Sequence, residues 1–113
     1  MGREKLANLG EIVPEFIKEL EKRDIHPEQI ILYGSYARGE ANEWSDVDLV
    51  VISKDFEKID PLERLTILSH AAWPVQAAIE AIGYTPSEIS ERGPDSIFWE
   101  AIQEHHKVLY STH

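Results

Sequence analysis

The sequence predicts an α/β (α+β) domain in which a small mixed sheet is backed by helices. The predicted elements follow the order α-β-β-α-β-α with a short final strand, an alternation typical of a sheet covered by helices. The length of 113 residues suits one domain, spanning residues 1–113. The chain has no cysteine, which excludes disulfides, zinc–thiolate sites and cysteine nucleophiles.

Three of these elements are expected in the first half of the chain. A helix is predicted over Glu11–Arg23, and Gln29–Tyr33 is a short apolar run that ends at Gly34 and predicts a buried strand. A polar connection over Tyr36–Ser45 is expected to begin with a turn of helix, and Asp46–Ile52 predicts the second strand. The core-facing stripe of the first helix, at helical spacing, consists of Ile12, Val13, Phe16, Ile17 and Leu20.

The second half predicts a helix over Pro61–Trp73 and a third strand over Val75–Tyr84, which a turn at Thr85–Ser87 ends. A last helix is expected over Pro94–His106 and a short final strand over Val108–Tyr110. The apolar side of the helix that begins at Pro61, expected to face the core, consists of Leu62, Leu65, Leu68 and Ala72.

Acidic residues outnumber basic ones by 21 to 11, which gives a formal net charge of −10. This balance argues against a nucleic-acid partner, because Lys and Arg supply most of the affinity for phosphates. It fits bound cations or a basic protein partner. The sequence has neither the apolar core of a signal peptide nor a run long enough for a membrane helix, so we expect a cytoplasmic protein without membrane contact.

The chemistry concentrates in two short segments. Gly34 follows a predicted strand, where the backbone can turn tightly, and Ser35 offers a hydroxyl and an N–H group to an anion. Asp46 and Asp48 are two residues apart at the head of the next strand, so both carboxylates lie on one face while Val47 points to the other. Like charges this close repel unless a cation lies between them, and hard oxygen ligands suit Mg²⁺. A phosphate site beside a metal-binding Asp pair indicates phosphoryl or nucleotidyl transfer.

A third carboxylate is expected to join this pair, and Glu80 is the best candidate. It lies within an apolar segment, where an acid is costly unless it has a cation or a function. If Ile79 and Ala81 face the core, Glu80 faces the same open side as the Asp pair. Its competitors Glu88 and Glu91 follow the turn and are expected to be solvated.

The two segments together resemble a known signature. Gly34-Ser35, ten residues and Asp46-x-Asp48 are similar to the GSx10DxD motif of minimal nucleotidyltransferase (MNT) domains, members of the DNA polymerase β-like nucleotidyltransferase superfamily. The similarity extends over about Ile30–Tyr110 and includes further matching segments, namely Arg38-Gly39, Ser45, Leu49, Glu80–Pro86 and Lys107–Tyr110.

This resemblance implies a nucleotidyltransferase fold that uses ATP and Mg²⁺, with two ions, to transfer a nucleoside monophosphate. It implies that Gly34 and Ser35, with Arg38 and Ser45, bind the nucleotide. Asp46, Asp48 and Glu80 would then be the catalytic and metal-binding residues, with Glu80 activating the acceptor hydroxyl. For Arg38, an ion pair with Glu40 or Asp46 remains an equal alternative to a phosphate contact. Two residues depart from the family pattern: Tyr36 stands where a basic residue is frequent, and Trp44 where small or polar residues are usual.

The family also implies a partner. MNT members are commonly paired with a helical HEPN protein and resemble antitoxins that block this ribonuclease, in some cases by adenylylating it. A second hypothesis is a binding module that neutralises its partner by masking it, and a third is a catalytic subunit that modifies a small molecule with a separate acceptor-binding chain. A homodimer and a hetero-oligomer both remain open.

The remaining aromatic and histidine residues have simpler interpretations. Trp44 is expected to be a partly packed loop residue, although it could stack on a base or meet a partner. Trp73 and Trp99 are expected in the core. No histidine has metal-ligand spacing, so surface or packing roles are expected for His26, His70, His105, His106 and His113.

Overall fold

Four strands form one mixed sheet in the part of the chain that the computed structural model describes, residues 8–75, 77–92 and 105–112. The strands are β1 (Gln29–Tyr33), β2 (Val47–Ile52), β3 (Ile79–Tyr84) and β4 (Lys107–Ser111). The helices are α1 (Leu9–Glu21), α2 (Gly34–Arg38), α3 (Pro61–Ala72) and α4 (Pro86–Arg92), with a 3₁₀ helix over Lys54–Lys58. The predicted mixed sheet with helices is therefore confirmed, and the bounds of β1 agree with the prediction.

The strand order is β3-β2-β1-β4. β1 pairs antiparallel with both β2 and β4, with an irregularity between Ile30 and Ile31 on the β4 side. β2 pairs parallel with β3, and the crossover between them contains α3. The C-terminal end of β1 and the N-terminal ends of β2 and β3 consequently lie at the same end of the sheet. None of the helices that the structure describes is long and apolar enough to cross a membrane.

One face of the sheet packs against α1 and α3 and forms the main core. The predicted stripe of α1 is confirmed there, since Phe16 and Leu20 are fully buried. Asn8 caps this helix by accepting the Gly10 N–H at 3.1 Å. The strands contribute β-branched and leucine side chains to this core at every second position, namely Ile30, Leu32, Val47, Leu49 and Val51.

The predicted core-facing side of α3 is confirmed for Leu68, which is buried, and for Ala72, which packs against the core, but it is wrong for the other two leucines. Leu62 is 74% exposed, Leu65 is 45% exposed, and Trp73, expected in the core, is 88% exposed. Besides Leu68, the buried residues of α3 are Arg64 and Ala71. The physical reason is that the first turns of α3 run beside the end of β3, where backbone carbonyls need donors, so a hydrogen-bonding side chain faces inward there.

Arg64 supplies those donors. Its side chain is buried, with its Nε donating to the Ile59 carbonyl at 2.8 Å and its Nη2 to the Phe56 carbonyl at 2.8 Å. Nη1 donates to the Gly83 carbonyl of β3 at 3.2 Å and to Glu88 Oε1 at 2.7 Å. A second bond joins Nη2 to Glu88 Oε2 at 3.1 Å, so the guanidinium–carboxylate pair is bidentate. The expectation that Glu88 is solvated is therefore wrong, and hydrogen bonds from Arg64 hold the pKa of its carboxyl below the usual value.

Two helices differ from the sequence prediction. The 3₁₀ helix begins after Ser53, whose hydroxyl accepts the Asp55 N–H at 3.1 Å. α4 follows where only a turn was predicted, and it begins with a reciprocal cap. In this cap the Glu88 N–H donates to Thr85 Oγ1 at 3.1 Å, and the Thr85 N–H donates to Glu88 Oε1 at 2.9 Å. The predicted last helix and Trp99 lie mainly or wholly outside the described residues, and Val108–Tyr110 falls within β4.

Candidate active site

Three side chains form a row across the sheet at the end where β2 begins. Asp48 of β2 is the register partner of Tyr33 on β1 and of Glu80 on β3. Register partners in paired strands point to the same side of a sheet, so Tyr33, Asp48 and Glu80 share one face. We call these three residues the acid row. As predicted, Asp48 and Glu80 occupy one face.

This face is opposite to the main core. Val47, between the two aspartates, is 1% exposed and belongs to the core, as predicted from the alternation. Asp46 lies just before β2 and is exposed, as is Glu80, while Asp48 is half-buried. Further along the same face, a smaller apolar cluster formed by Ile31, Val50 and Ile52 packs against residues that include Ile89 of α4. The carboxylates thus occupy the accessible end of a face whose other end is apolar.

Burial and the neighbouring charges influence the ionisation of Asp48. Burial raises the pKa of the Asp48 carboxyl, and the negative charges of Glu80 and Asp46 raise it further. Arg38 opposes this shift. Burial and the charges of Asp48 and Glu80 also raise the pKa of Tyr33, to about 12, so its phenol keeps its proton at neutral pH.

A divalent cation would relieve this repulsion, and the donor set fits one. Mg²⁺ prefers hard oxygen ligands and is usually bound through one or two carboxylates, with water and phosphate completing its shell. Within the described ranges, no three His, Asp or Glu side chains converge closely enough to hold a metal ion by themselves. The arrangement therefore fits magnesium bound by Asp46 and Asp48 together with substrate phosphates.

Replacing Glu80 by Gln is expected to lower the pKa of Asp48, because the substitution removes the negative charge that raises this pKa most. Carboxyl ¹³C chemical shifts recorded across an acid titration would measure this change. Glu57→Gln, on the exposed side of the 3₁₀ helix, is the matched control and should leave the Asp48 titration unchanged. An Asp48 pKa that does not move in Glu80→Gln would contradict the proximity of these two carboxylates.

Gly34 lies against the acid row at the first position of α2. Its φ of +75° lies in the left-handed region that favours glycine. A Cβ atom at this position would lie 3.0 Å from Asp48 Cγ and nearer still to Asp48 Oδ2. As predicted, the backbone at Gly34 makes a close approach, and its neighbour is Asp48, a carboxylate of the same motif. Any larger residue at position 34 would displace Asp48.

The other predicted nucleotide-binding residues surround this point without forming one cluster. Ser35 is half-buried in the first turn of α2. The Ser45 hydroxyl accepts the Asn42 N–H at 3.0 Å and so stabilises the loop before β2. Arg38 donates to Glu40 Oε1 at 3.0 Å, so of its two predicted roles the ion pair with Glu40 is the one observed. Both side chains of this ion pair are substantially exposed, which leaves Arg38 able to exchange Glu40 for a phosphate.

Two aromatic residues near the site were misjudged or missed. Trp44, expected to be partly packed, is 84% exposed in the loop before Asp46. Tyr33 was not among the predicted site residues, although it belongs to the acid row. The available signal was its position directly before Gly34 at the end of a strand, since antiparallel pairing of the first two strands would bring that residue opposite Asp48.

Comparison with known proteins supports the fold and the motif. Residues 13–109 match the protein family described as "Nucleotidyltransferase domain". Three similar proteins from Methanocaldococcus jannaschii carry the name "Putative protein adenylyltransferase". MJ1305 is 47% identical over 53 residues, covering 44% of this chain but only 35% of the relative. MJ1215 is 40% identical over 72 residues (57% of this chain, 83% of the relative). MJ0604 is 29% identical over 105 residues (91% and 99%).

Solved structures share the same fold at low sequence identity. A toxin–antitoxin complex with AMP-PNP matches with a TM-score of 0.60 and 22% identity, covering 88% of this chain and 73% of that one. A complex described as tri-AMPylated Shewanella oneidensis HEPN toxin with MNT antitoxin matches with a TM-score of 0.58 and 17% identity, covering 93% and 74%. The fold that carries the acid row is therefore a nucleotidyltransferase fold.

Proposed function

Because this chain belongs to the nucleotidyltransferase domain family, we propose that it transfers AMP from ATP to a hydroxyl group of a protein acceptor. The observation that carries the proposal is the register of Asp48 with Glu80, beside Asp46 and the turn at Gly34-Ser35. Nucleotidyl transfer needs two carboxylates that hold a metal against the phosphates, a third carboxylate that accepts a proton, and a backbone turn that lies close to the phosphates.

Each group has a separate task in this reaction. Asp46 and Asp48 hold magnesium, which when bound neutralises charge on the triphosphate. Gly34 and Ser35 place backbone and hydroxyl groups against the phosphates, and Ser45 keeps the connecting loop in position. Arg38 exchanges Glu40 for a phosphate oxygen. Glu80 accepts the proton of the acceptor hydroxyl, whose oxygen bonds to the α-phosphorus while the bond to the pyrophosphate oxygen breaks.

We further propose that the acceptor is a basic helical protein of the HEPN type and that modification neutralises it. One of the complexes similar in fold contains a HEPN toxin, which is AMPylated. The net charge of −10 suits a basic partner, since opposite potentials attract and orient two proteins before contact.

The test uses the chain with a purified HEPN-type protein, Mg²⁺ and ATP labelled at the α- or the γ-phosphate. We expect label from α-labelled but not γ-labelled ATP on the partner, and an intact mass increased by whole AMP units. EDTA should abolish the transfer. Substituting the other nucleoside triphosphates in the same assay measures the base preference.

Two outcomes would contradict this function. A partner that is bound and inhibited with unchanged mass would support masking alone. Transfer to small hydroxyl compounds without any protein partner would assign the chain to the modification of small molecules.

A Gly34→Ala substitution is expected to lower AMP transfer by about ten- to a hundredfold, because a displacement of Asp48 by even an ångström misaligns the reacting groups. Gly39→Ala is a closely matched control. Gly39 has the same φ of +75°, but no atom lies within 4 Å of its Cβ position. Both variants should lose about 1 kcal/mol of folding free energy from left-handed strain, and Gly34→Ala alone should lose the activity. Equal activity losses in the two variants would contradict the role of Gly34.

A further inference from the structure

Among the described residues, the backbone groups on the outer edge of β3 have few hydrogen-bond partners. β2 uses the carbonyls of Ala78 and Tyr84, which accept the N–H groups of Val47 at 2.7 Å and Ser53 at 2.9 Å. Backbone groups alternate in direction along a strand, so those of Ile79 and Ala81 point away from β2. No described residue forms a hydrogen bond with these outward groups, and β3 is an edge strand of the sheet in that part of the chain.

This edge is closed at one end and open at the other. The outward carbonyl of Gly83 accepts a hydrogen bond from the buried Arg64 at 3.2 Å, which stops any further strand from pairing there. The open part is Ile79–Ala81, directly next to the acid row. Natural proteins usually protect such edges with proline or lysine. β3, with the sequence IEAIGY, contains neither.

An apolar groove runs along the open part of the edge. It encloses about 580 Å³ between α3 and β3, and Leu65 and the highly exposed Trp73 form part of its wall. Another part of the wall consists of small side chains from β3 and the two residues before it, namely Ala77, Ala78 and Ala81. Exposed apolar surface beside an unpaired edge is typical of sites where an extended peptide adds a strand.

The charge around the groove indicates what can occupy it. Glu80 is the one charged residue among the described residues that line the groove, and no Lys or Arg is among them. With a net charge of −10 on the whole chain, a basic segment is attracted. A second copy of the chain would bring two acidic edges, including two Glu80 carboxylates, together and is disfavoured by the same charge.

We propose that an extended basic segment of the acceptor protein pairs with the outer edge of β3 at Ile79–Ala81, which rests on the proposed function. Side chains of an added strand alternate between the two faces of the sheet. Apolar ones on the α3 side contact Leu65 and Trp73, while those on the other face lie beside Glu80. A hydroxyl on a side chain of the Glu80 face thereby reaches the acid row. The edge consequently selects acceptors by their local extended structure.

The probe is a capped seven-residue peptide in which valines alternate with lysine, tyrosine and lysine. We expect the peptide at saturation to slow amide hydrogen exchange of Ile79 and Ala81 by about tenfold or more, as new strand hydrogen bonds form. With ATP and Mg²⁺, its tyrosine should also receive AMP. The same peptide with glutamates in place of the lysines should bind at least about tenfold more weakly.

Variants of the chain separate edge pairing from general stability. Ala81→Pro removes an outward N–H, which an edge strand tolerates, and should abolish exchange protection at Ile79. Leu65→Ser should weaken peptide binding about tenfold or more by removing a groove contact. Leu62→Ser is the matched control, since Leu62 is exposed on the same helix but does not line the groove, and binding should not change.

The possible failures are distinct. Unchanged exchange at Ile79 and Ala81, with transfer to the acceptor protein intact, would overturn the docking proposal and leave the proposed function standing. Protection without AMP on the tyrosine would instead count against the proposed function. Equal binding of the glutamate peptide, or protection that rises with chain concentration alone, would overturn the assignment of a basic segment.

Discussion

Asp48→Asn is expected to lower AMP transfer by about a thousandfold or more, because it removes the negative charge at the centre of the acid row that would hold the metal and, through the metal, the phosphates. Radiolabel transfer to the partner under single-turnover conditions would measure the loss. Asp24→Asn is the control. Asp24 is exposed between α1 and β1 with a left-handed φ of 64°, which asparagine also accepts. A variant at Asp48 that keeps more than a tenth of the activity would contradict the catalytic assignment.

Asp48→Asn is expected to leave the thermal stability of the chain unchanged or raised at neutral pH. The pKa of Asp48 is higher in the folded chain than its ordinary value, so this group favours folding at low pH. That contribution is lost as the pH rises through the folded pKa and the carboxylate ionises. A neutral amide avoids this loss, so differential scanning calorimetry should separate inactivation from unfolding. A large fall in the unfolding temperature would show that Asp48 is instead needed for the fold.

Arg64→Leu is expected to destabilise the chain by about 3 kcal/mol or more, because it leaves Glu88 and three backbone carbonyls without their buried donor. For a domain of this size, that corresponds to a fall of roughly 10 °C in the unfolding temperature. Arg64→Lys should also destabilise, since one ammonium group cannot form the bidentate pair and reach the carbonyls at once. Denaturant unfolding would measure both changes.

A surface arginine provides the contrast. Arg23 forms an ion pair with Glu19 at 3.1 Å on α1, and Arg23→Leu should change the free energy of unfolding by less than about 1 kcal/mol. The pH dependence gives a second check. Because the pKa of Glu88 is lowered, its stabilisation is present above the ordinary glutamate pKa and is lost as the pH falls through the folded value. Arg64→Leu should remove most of this loss of folding stability at acid pH.

The elements that could be predicted from the sequence are those fixed by local pattern. Gln29–Tyr33 is a continuous apolar run ended by a glycine, and α1 has one complete apolar stripe, so a short window of sequence determines each. The motif likewise identified Gly34 and the Asp pair. Alternation within a strand placed Asp48 and Glu80 on one face.

The features that sequence reasoning missed depend mainly on contacts between distant parts of the chain. The inward face of α3 depends on carbonyls of Phe56, Ile59 and Gly83, and no period within the helix reveals them. The direct register of Asp48 with Glu80 depends in the same way on how β2 and β3 pair. α4 is different, because Thr85 and Glu88 form a capping box that the sequence contained. The proline between them was interpreted as a turn rather than as the first residue of a helix.

The two exposed indoles give the chain two separate fluorescence signals. Trp44 lies in the loop before Asp46, so a bound nucleotide should quench its emission, whereas Trp73 lies in the groove wall, where a docked segment should shift its emission to shorter wavelengths. In a Trp99→Phe background, Trp44→Phe and Trp73→Phe variants allow each signal to be followed by itself in a stopped-flow experiment. The order in which nucleotide and acceptor bind then becomes measurable without any added dye.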